Sequence, residues 1–206
     1  ASLYVNLAGS KSVMAKVYAG LTLTGNNGPD GSGDISGIDE GFSSYIRQYW
    51  SAQELSTDEA VIGWNDATIK DFHHMTWSPA DVFIRALYSR IYFQITLANE
   101  FIRESDASKV SDRGISGADA TEIAYMHAEA RFLRALSYYH AMDLFGNVPF
   151  VTEDDNVGAF LPNQITRTNL FNYIESELKA IETELKDART NEYGRADKAA
   201  AWALLS

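Results

Sequence analysis

The stretch from Ala128 to Phe150 limits the fold more than any other part of the chain. Its apolar residues Ala128, Phe132, Ala135, Leu136, Tyr139 and Met142 recur at the three- and four-residue spacing of one helix face. Glu129, Arg131 and Arg134 read as the opposite, charged face. Gly146 stops the helix, Asn147 is suited to the left-handed cap region, and Pro149 prevents a restart. A chain built around so long a helix, with no alternating apolar run over six residues, must form its core by packing helices.

The other segments have the same character. Val5 to Thr24 reads as a first helix, ended by Gly25. Gly25 to Gly37 is rich in Gly, Asn, Asp and Ser and reads as a loop. Its acids invite a calcium reading, but the spacing fails. Counted from Asn26, the third position is Gly28 and the twelfth is Gly37, where an EF-hand needs an acid and a Glu. Tyr45, Tyr49 and Ala52 suggest a short helix, and Thr57-Asp58-Glu59 a turn or cap. Trp64-Asn65-Asp66 reads as irregular backbone, where function tends to sit. His73 and His74 are adjacent, so their side chains diverge and do not readily share a metal.

Ser78 reads as the cap of a helix beginning at Pro79 and running to Glu104, with Val82, Leu87, Ile91, Ile95, Ala98 and Ile102 as its buried stripe. Ser105 to Ala120 reads as a polar linker and Val151 to Gln164 as a loop. Arg167 to Lys186 forms another amphipathic helix, and a last one begins near Arg195. The expected fold is therefore all-α: antiparallel helix pairs of tetratricopeptide-like type with long irregular loops.

Charge and composition exclude some functions. A net charge of −11 argues against nucleic acid, which needs a basic surface. Without cysteine there is no disulfide and no thiolate metal site. No apolar run is long enough to span a bilayer, and the first ten residues lack the pattern of a signal peptide. The closing run GRADKAAAWALLS is a helix without a stop signal. Residues 1–206 are accordingly expected to be the N-terminal part of a single longer domain, cut within a helix.

The wording of the central helix goes further than its periodicity. RFLRAL-x-Y from Arg131, LFG-x-VP from Leu144 and GRADKAAA from Gly194 together resemble the SusD/RagB family of outer-membrane surface glycan-binding lipoproteins of Bacteroidetes. Asp39-Glu40-Gly41, Thr57-Asp58-Glu59 and Trp77-Ser78-Pro79 extend the resemblance over nearly the whole chain, and it is strongest to the starch-binding member. The resemblance implies helix pairs wrapped by irregular segments, no catalysis and no cofactor. It implies a polysaccharide ligand, an α-glucan such as starch, and a SusC-like TonB-dependent transporter as protein partner. The implied location is the outer-membrane surface, through an N-terminal lipid that this chain does not carry.

The resemblance also carries over site residues. The acid of the family's sugar site falls on Asp39 and its arginine on Arg47, while one stacking tryptophan falls on Trp64. A second stacking tryptophan falls on Ile62, a departure. The family's asparagine falls on Ala67, and Asn65 or Asp66 is placed to take its role. These residue types suit a sugar. An indole stacks on the apolar C–H face of a pyranose, a guanidinium fork matches vicinal hydroxyls, and carboxylate or amide groups bond the rest. The plainer alternatives are a core position for Trp64 and a surface ion pair with Asp39 or Glu40 for Arg47. Competing functions are a glycoside hydrolase using a carboxylate pair, for which no motif stands out, and a helical-repeat scaffold that binds only protein.

Overall fold

A computed structural model describes residues 3–25, 33–66, 68–158 and 160–206. Residues 26–32, on which most of the calcium reading rests, and Ala67 lie outside the described residues. Helices dominate: α1 (Leu7–Ala19), α2 (Tyr45–Glu54), α3 (Asp71–His74), α4 (Val82–Glu104), α5 (Ala107–Asp112), α6 (Gly117–Phe145), α7 (Arg167–Ile181) and α8 (Lys198–Leu205). The strands β1 (Val148–Pro149) and β2 (Gln164–Ile165) pair antiparallel, Val148 opposite Ile165. The chain forms two compact units. One is Tyr18–Phe93; the other combines Ala1–Val17 with Gln94–Ser206.

In the Tyr18–Phe93 unit, Leu55, Ile69, Phe72 and Phe83 form the core, joined by Phe42, Ala52, Ile62 and Val82. Burying such side chains contributes roughly 1.5–3 kcal/mol each. A buried cation fixes the loops around them. Arg90 donates from Nε to the Ser43 carbonyl at 2.8 Å, and from Nη1 to Asp34 at 2.6 Å. Its Nη2 reaches the Ser43 hydroxyl at 3.2 Å and the Thr24 carbonyl at 3.4 Å. One guanidinium thus ties both ends of the glycine-rich loop to the turn before α2.

α4 begins three residues later than the Ser78-Pro79 signal suggests. Asp81 is the cap: its Oδ1 accepts from the backbone N–H groups of Phe83 and Ile84 at 2.8 and 3.0 Å. Ser78 instead closes a turn by accepting the Asp81 N–H on its carbonyl at 3.0 Å. A carboxylate two or three residues before the free amides outcompetes a hydroxyl, because it also meets the helix dipole.

In the other unit, α7 packs on α6 and α8 on α7. The expected linker from Ser105 to Ala120 contains α5, capped by the Asp106 carboxylate on the Ser108 N–H at 2.9 Å. Gly146, not Asn147, takes the positive φ that ends α6; Asn147 Oδ1 accepts from the Arg167 N–H at 2.8 Å at the start of α7. The charged face expected on α6 is not solvated. Glu129 is 0% and Arg134 2% exposed, whereas Tyr139, expected inside, is exposed. α6 has neighbours on several sides in α5, α7 and β1, so one apolar stripe cannot cover its contacts. Its small residues Ala128, Ala130, Ala135 and Ala141 permit close approach, and its charges are paired. Arg134 bonds Glu153, Asn99 Oδ1 (2.9 Å) and Glu177 (3.0 Å). Arg131 bonds Glu177 (2.9 Å) and Glu184 (3.0 Å). Arg195 forks onto Glu129 at 2.6 and 3.0 Å and reaches Glu122 at 3.1 Å.

Candidate functional site

Every sequence-predicted site residue lies in the Tyr18–Phe93 unit. The site starts from the turn before α2. Asp39 Oδ1 accepts from the Gly41 N–H at 2.7 Å, an Asx turn that folds the acid back over its own backbone. Two consecutive side chains of α2 then hold this turn. Arg47 Nη1 donates to the Gly41 carbonyl at 3.0 Å, and the buried Gln48 donates to the Phe42 carbonyl at 2.7 Å. The Phe42 ring packs against Phe83 in the core, tilted by 49° with 4.7 Å between ring centres, which anchors the turn.

The second part of the site is the irregular strip after α2. Thr57 Oγ1 accepts from the Glu59 N–H at 3.1 Å and redirects the chain away from the helix. Along the strip Val61 is exposed and Ile62 packs toward the core of Leu55 and Phe72, but the irregular backbone then breaks the alternation, and Trp64, two residues on, is outside, 54% exposed. The Arg47 guanidinium lies 5.0 Å from the centre of the Trp64 ring. Such a contact contributes about 0.5–1 kcal/mol at an exposed site and fixes the indole plane. Arg47 thus links Asp39's turn to Trp64, whose ring remains half-exposed.

Asn65 and Asp66 are exposed beside Trp64. The Asn65 amide oxygen accepts from the Lys70 ammonium, and the Asp66 carbonyl accepts from the Ile69 N–H at 3.0 Å. The structure therefore joins Asp39, Arg47 and Trp64 through contacts, and adds Asn65 and Asp66 through the chain. Ile62, facing the core, offers no platform at the place where the family resemblance puts a tryptophan. Gln48 and Lys70 were not legible as supports: nothing in the local pattern marks which polar residue turns toward a carbonyl.

The arrangement suits neutral, hydroxyl-rich ligands better than catalysis or metal binding. It offers a half-exposed aromatic ring, a cation with donors in a fork, and an acid. Among the described residues, no group of three or more His, Cys, Asp or Glu side chains is placed to hold a metal ion. The His73 and His74 rings stand edge to face, 5.5 Å between centres. No helix among the described residues is long and apolar enough to cross a membrane.

A family model for SusD-like proteins, described as "Starch-binding associating with outer membrane", matches residues 37–206. The chain belongs to the SusD-like family. It is 37% identical over 195 residues to the starch-binding protein SusD of Bacteroides thetaiotaomicron, covering 94% of this chain and 33% of that protein. The chain thus spans about a third of the length of that curated relative. A SusD superfamily structure from Bacteroides vulgatus matches with a TM-score of 0.71 at 15% identity, covering 99% of this chain and 39% of the other. A laminarin-binding SusD-like protein matches at 0.67 and 23% identity, covering 95% and 38%. These likenesses establish the SusD-like helical fold for the chain.

Proposed function

We propose that Asp39, Arg47, Trp64, Asn65 and Asp66 form a surface that binds polysaccharide without cleaving it, starch or another α-glucan. The observation that carries this reading is Arg47 seated over the half-exposed Trp64 ring while it holds the Asp39–Gly41 turn. The 37% identity to a protein named for starch binding supports the choice of glycan. In the same reading the protein works at the cell surface, held to the outer membrane by an N-terminal lipid, and passes glycan to a SusC-like TonB-dependent transporter. The family description, with its outer-membrane association, supports this location. The chain is then the N-terminal part of a longer SusD-like domain, a reading supported by its 33% share of SusD.

A second reading is a non-starch glycan. Ile62 points to the core where the resemblance places a stacking ring, so the platform differs from that of the starch-binding member. A relative of the same fold is named for laminarin binding.

Affinity electrophoresis of the full-length protein in amylopectin, pullulan, dextran and laminarin separates these readings. Amylopectin and pullulan should retard the wild type, and Trp64→Ala and Arg47→Ala should lose most of that retardation. Retardation by laminarin alone selects the second reading. Free migration in all four gels removes glycan binding, leaving a scaffold for protein. Glucose released from starch removes the non-catalytic assignment.

A further inference from the structure

α2 presents a second tryptophan beside Arg47. Its buried face is made by Tyr45, Gln48 and Ser51. Opposite lie Ile46 and Trp50, 52% and 50% exposed. At about 100° per residue, Trp50 falls between Ile46 and Arg47, about 40° from the first and about 60° from the second. It stands one turn along the helix from Arg47, an axial rise of about 4.5 Å. A half-exposed indole on a helix is by itself an ordinary surface feature, so its place decides what it can do. Here it sits next to the residue that holds Trp64.

We propose that Trp50 is a further stacking platform of the glycan site, taking the place in the binding surface that Ile62 leaves empty. This rests on the reading of Arg47 and Trp64 as that site. Arg47 would then lie between two indoles, its remaining donors directed to hydroxyls of the sugar bridging them. Ile46 extends the apolar flank on the far side. A platform displaced along the chain of sugars makes Trp50 a determinant of ligand length: a short oligosaccharide fills the Trp64 position alone, and a longer one reaches both rings.

The test is calorimetric titration of the full-length protein with maltotriose and maltoheptaose, or with the laminari-oligosaccharides of the same lengths if laminarin is the polymer retained. Trp64→Ala should weaken both sugars. Trp50→Ala should weaken the heptasaccharide about tenfold and the trisaccharide less than about twofold, with Trp50→Phe recovering most of the loss. If Trp50→Ala binds both sugars like the wild type while Trp64→Ala does not, Trp50 is no platform and the site reading survives. If Trp50→Ala weakens both sugars equally and also lowers the melting midpoint, its role is packing and the proposal falls. If neither alanine variant changes binding of either sugar, the site itself is misplaced and both readings fall.

Discussion

Single side chains decide how firmly the site is held. Arg90 is 1% exposed and uses its guanidinium on Asp34, Ser43 and Thr24, fixing the turn from which the Asp39 segment follows. Removing a buried cation leaves its partners unsatisfied, which typically costs about 3–5 kcal/mol. Arg90→Met should therefore lower stability by about 3 kcal/mol in urea titration, and an exposed change such as Lys11→Met, which loses only a surface pair with Glu192, should shift it by less than about 1 kcal/mol. His140 gives a pH signature. Burial pushes its imidazole down to about 4, and the nearby Asp143 charge offsets this only in part. In the unfolded chain the group titrates near 6.5, so the stability it contributes is fully present above about pH 6.5. It is lost as pH falls toward 4, because only the unfolded state gains the proton, by a total on the order of 3 kcal/mol. Urea midpoints measured between pH 7 and 4.5 should fall in the wild type and stay flatter in His140→Gln. The Glu153 and Glu177 carboxyls act lower still. Burial opposes their ionisation, yet bonds to Arg134 and Arg131 hold both below the usual carboxylate range. Their contribution is present above about pH 4.3 and disappears as the pH drops through those lowered values.

At the scale of elements, α6 shows what periodicity can and cannot reveal. Phe132, Ala135 and Met142 were legible as core, and the stops at Gly146 and Pro149 fell where the helix ends. Glu129 and Arg134 were read as a charged face opposite the apolar stripe, and their burial was not legible, because their partners Arg195, Glu153 and Glu177 come from other segments and leave no trace in the local spacing. The start of α4 was misjudged for a related reason: Ser78 and Asp81 are both good caps, and only the folded turn shows which one meets the free amides. Asp39, Arg47 and Trp64 were singled out by the family wording alone; that Ile62 turns inward while Trp64, two residues on, turns outward left no trace in the pattern, because the backbone there is irregular. Trp50 was visible as an aromatic but not as an exposed one. The α6 network yields its own test. Glu129→Ala strands the Arg195 fork beside a fully buried site and should lower stability by about 3 kcal/mol, the range of broken buried pairs. Lys179→Ala breaks the exposed pair with Glu175, 2.7 Å apart on one face of α7, and should cost no more than about 0.5 kcal/mol. Chemical denaturation of both variants compares them directly.

Across the whole molecule, the proposed contacts and the ion-pair network around α6 are carried by different units. Asp39, Arg47, Trp50, Trp64, Asn65 and Asp66 all belong to Tyr18–Phe93, and the Glu122, Glu129, Arg131, Arg134, Glu177 and Arg195 network belongs to the unit containing Gln94–Ser206. In the proposed binding role, recognition rests on surface side chains of the first unit, and the buried pairs of the second contribute to stability. That division predicts opposite outcomes for two variants of the full-length protein. Trp64→Ala removes a half-exposed ring in contact with Arg47, so its melting midpoint should stay within about 1 °C of the wild type. Its affinity for α-glucan should fall about tenfold. Glu129→Ala should lower unfolding stability by about 3 kcal/mol, a midpoint shift of roughly 2–4 °C in a protein about three times the length of this chain. Assayed well below that midpoint, it should keep glycan affinity within about twofold. Scanning calorimetry and titration on the same preparations measure both quantities. Loss of affinity in folded Glu129→Ala would show that the ion network shapes the binding surface, and a large midpoint drop in Trp64→Ala would return that ring to the core.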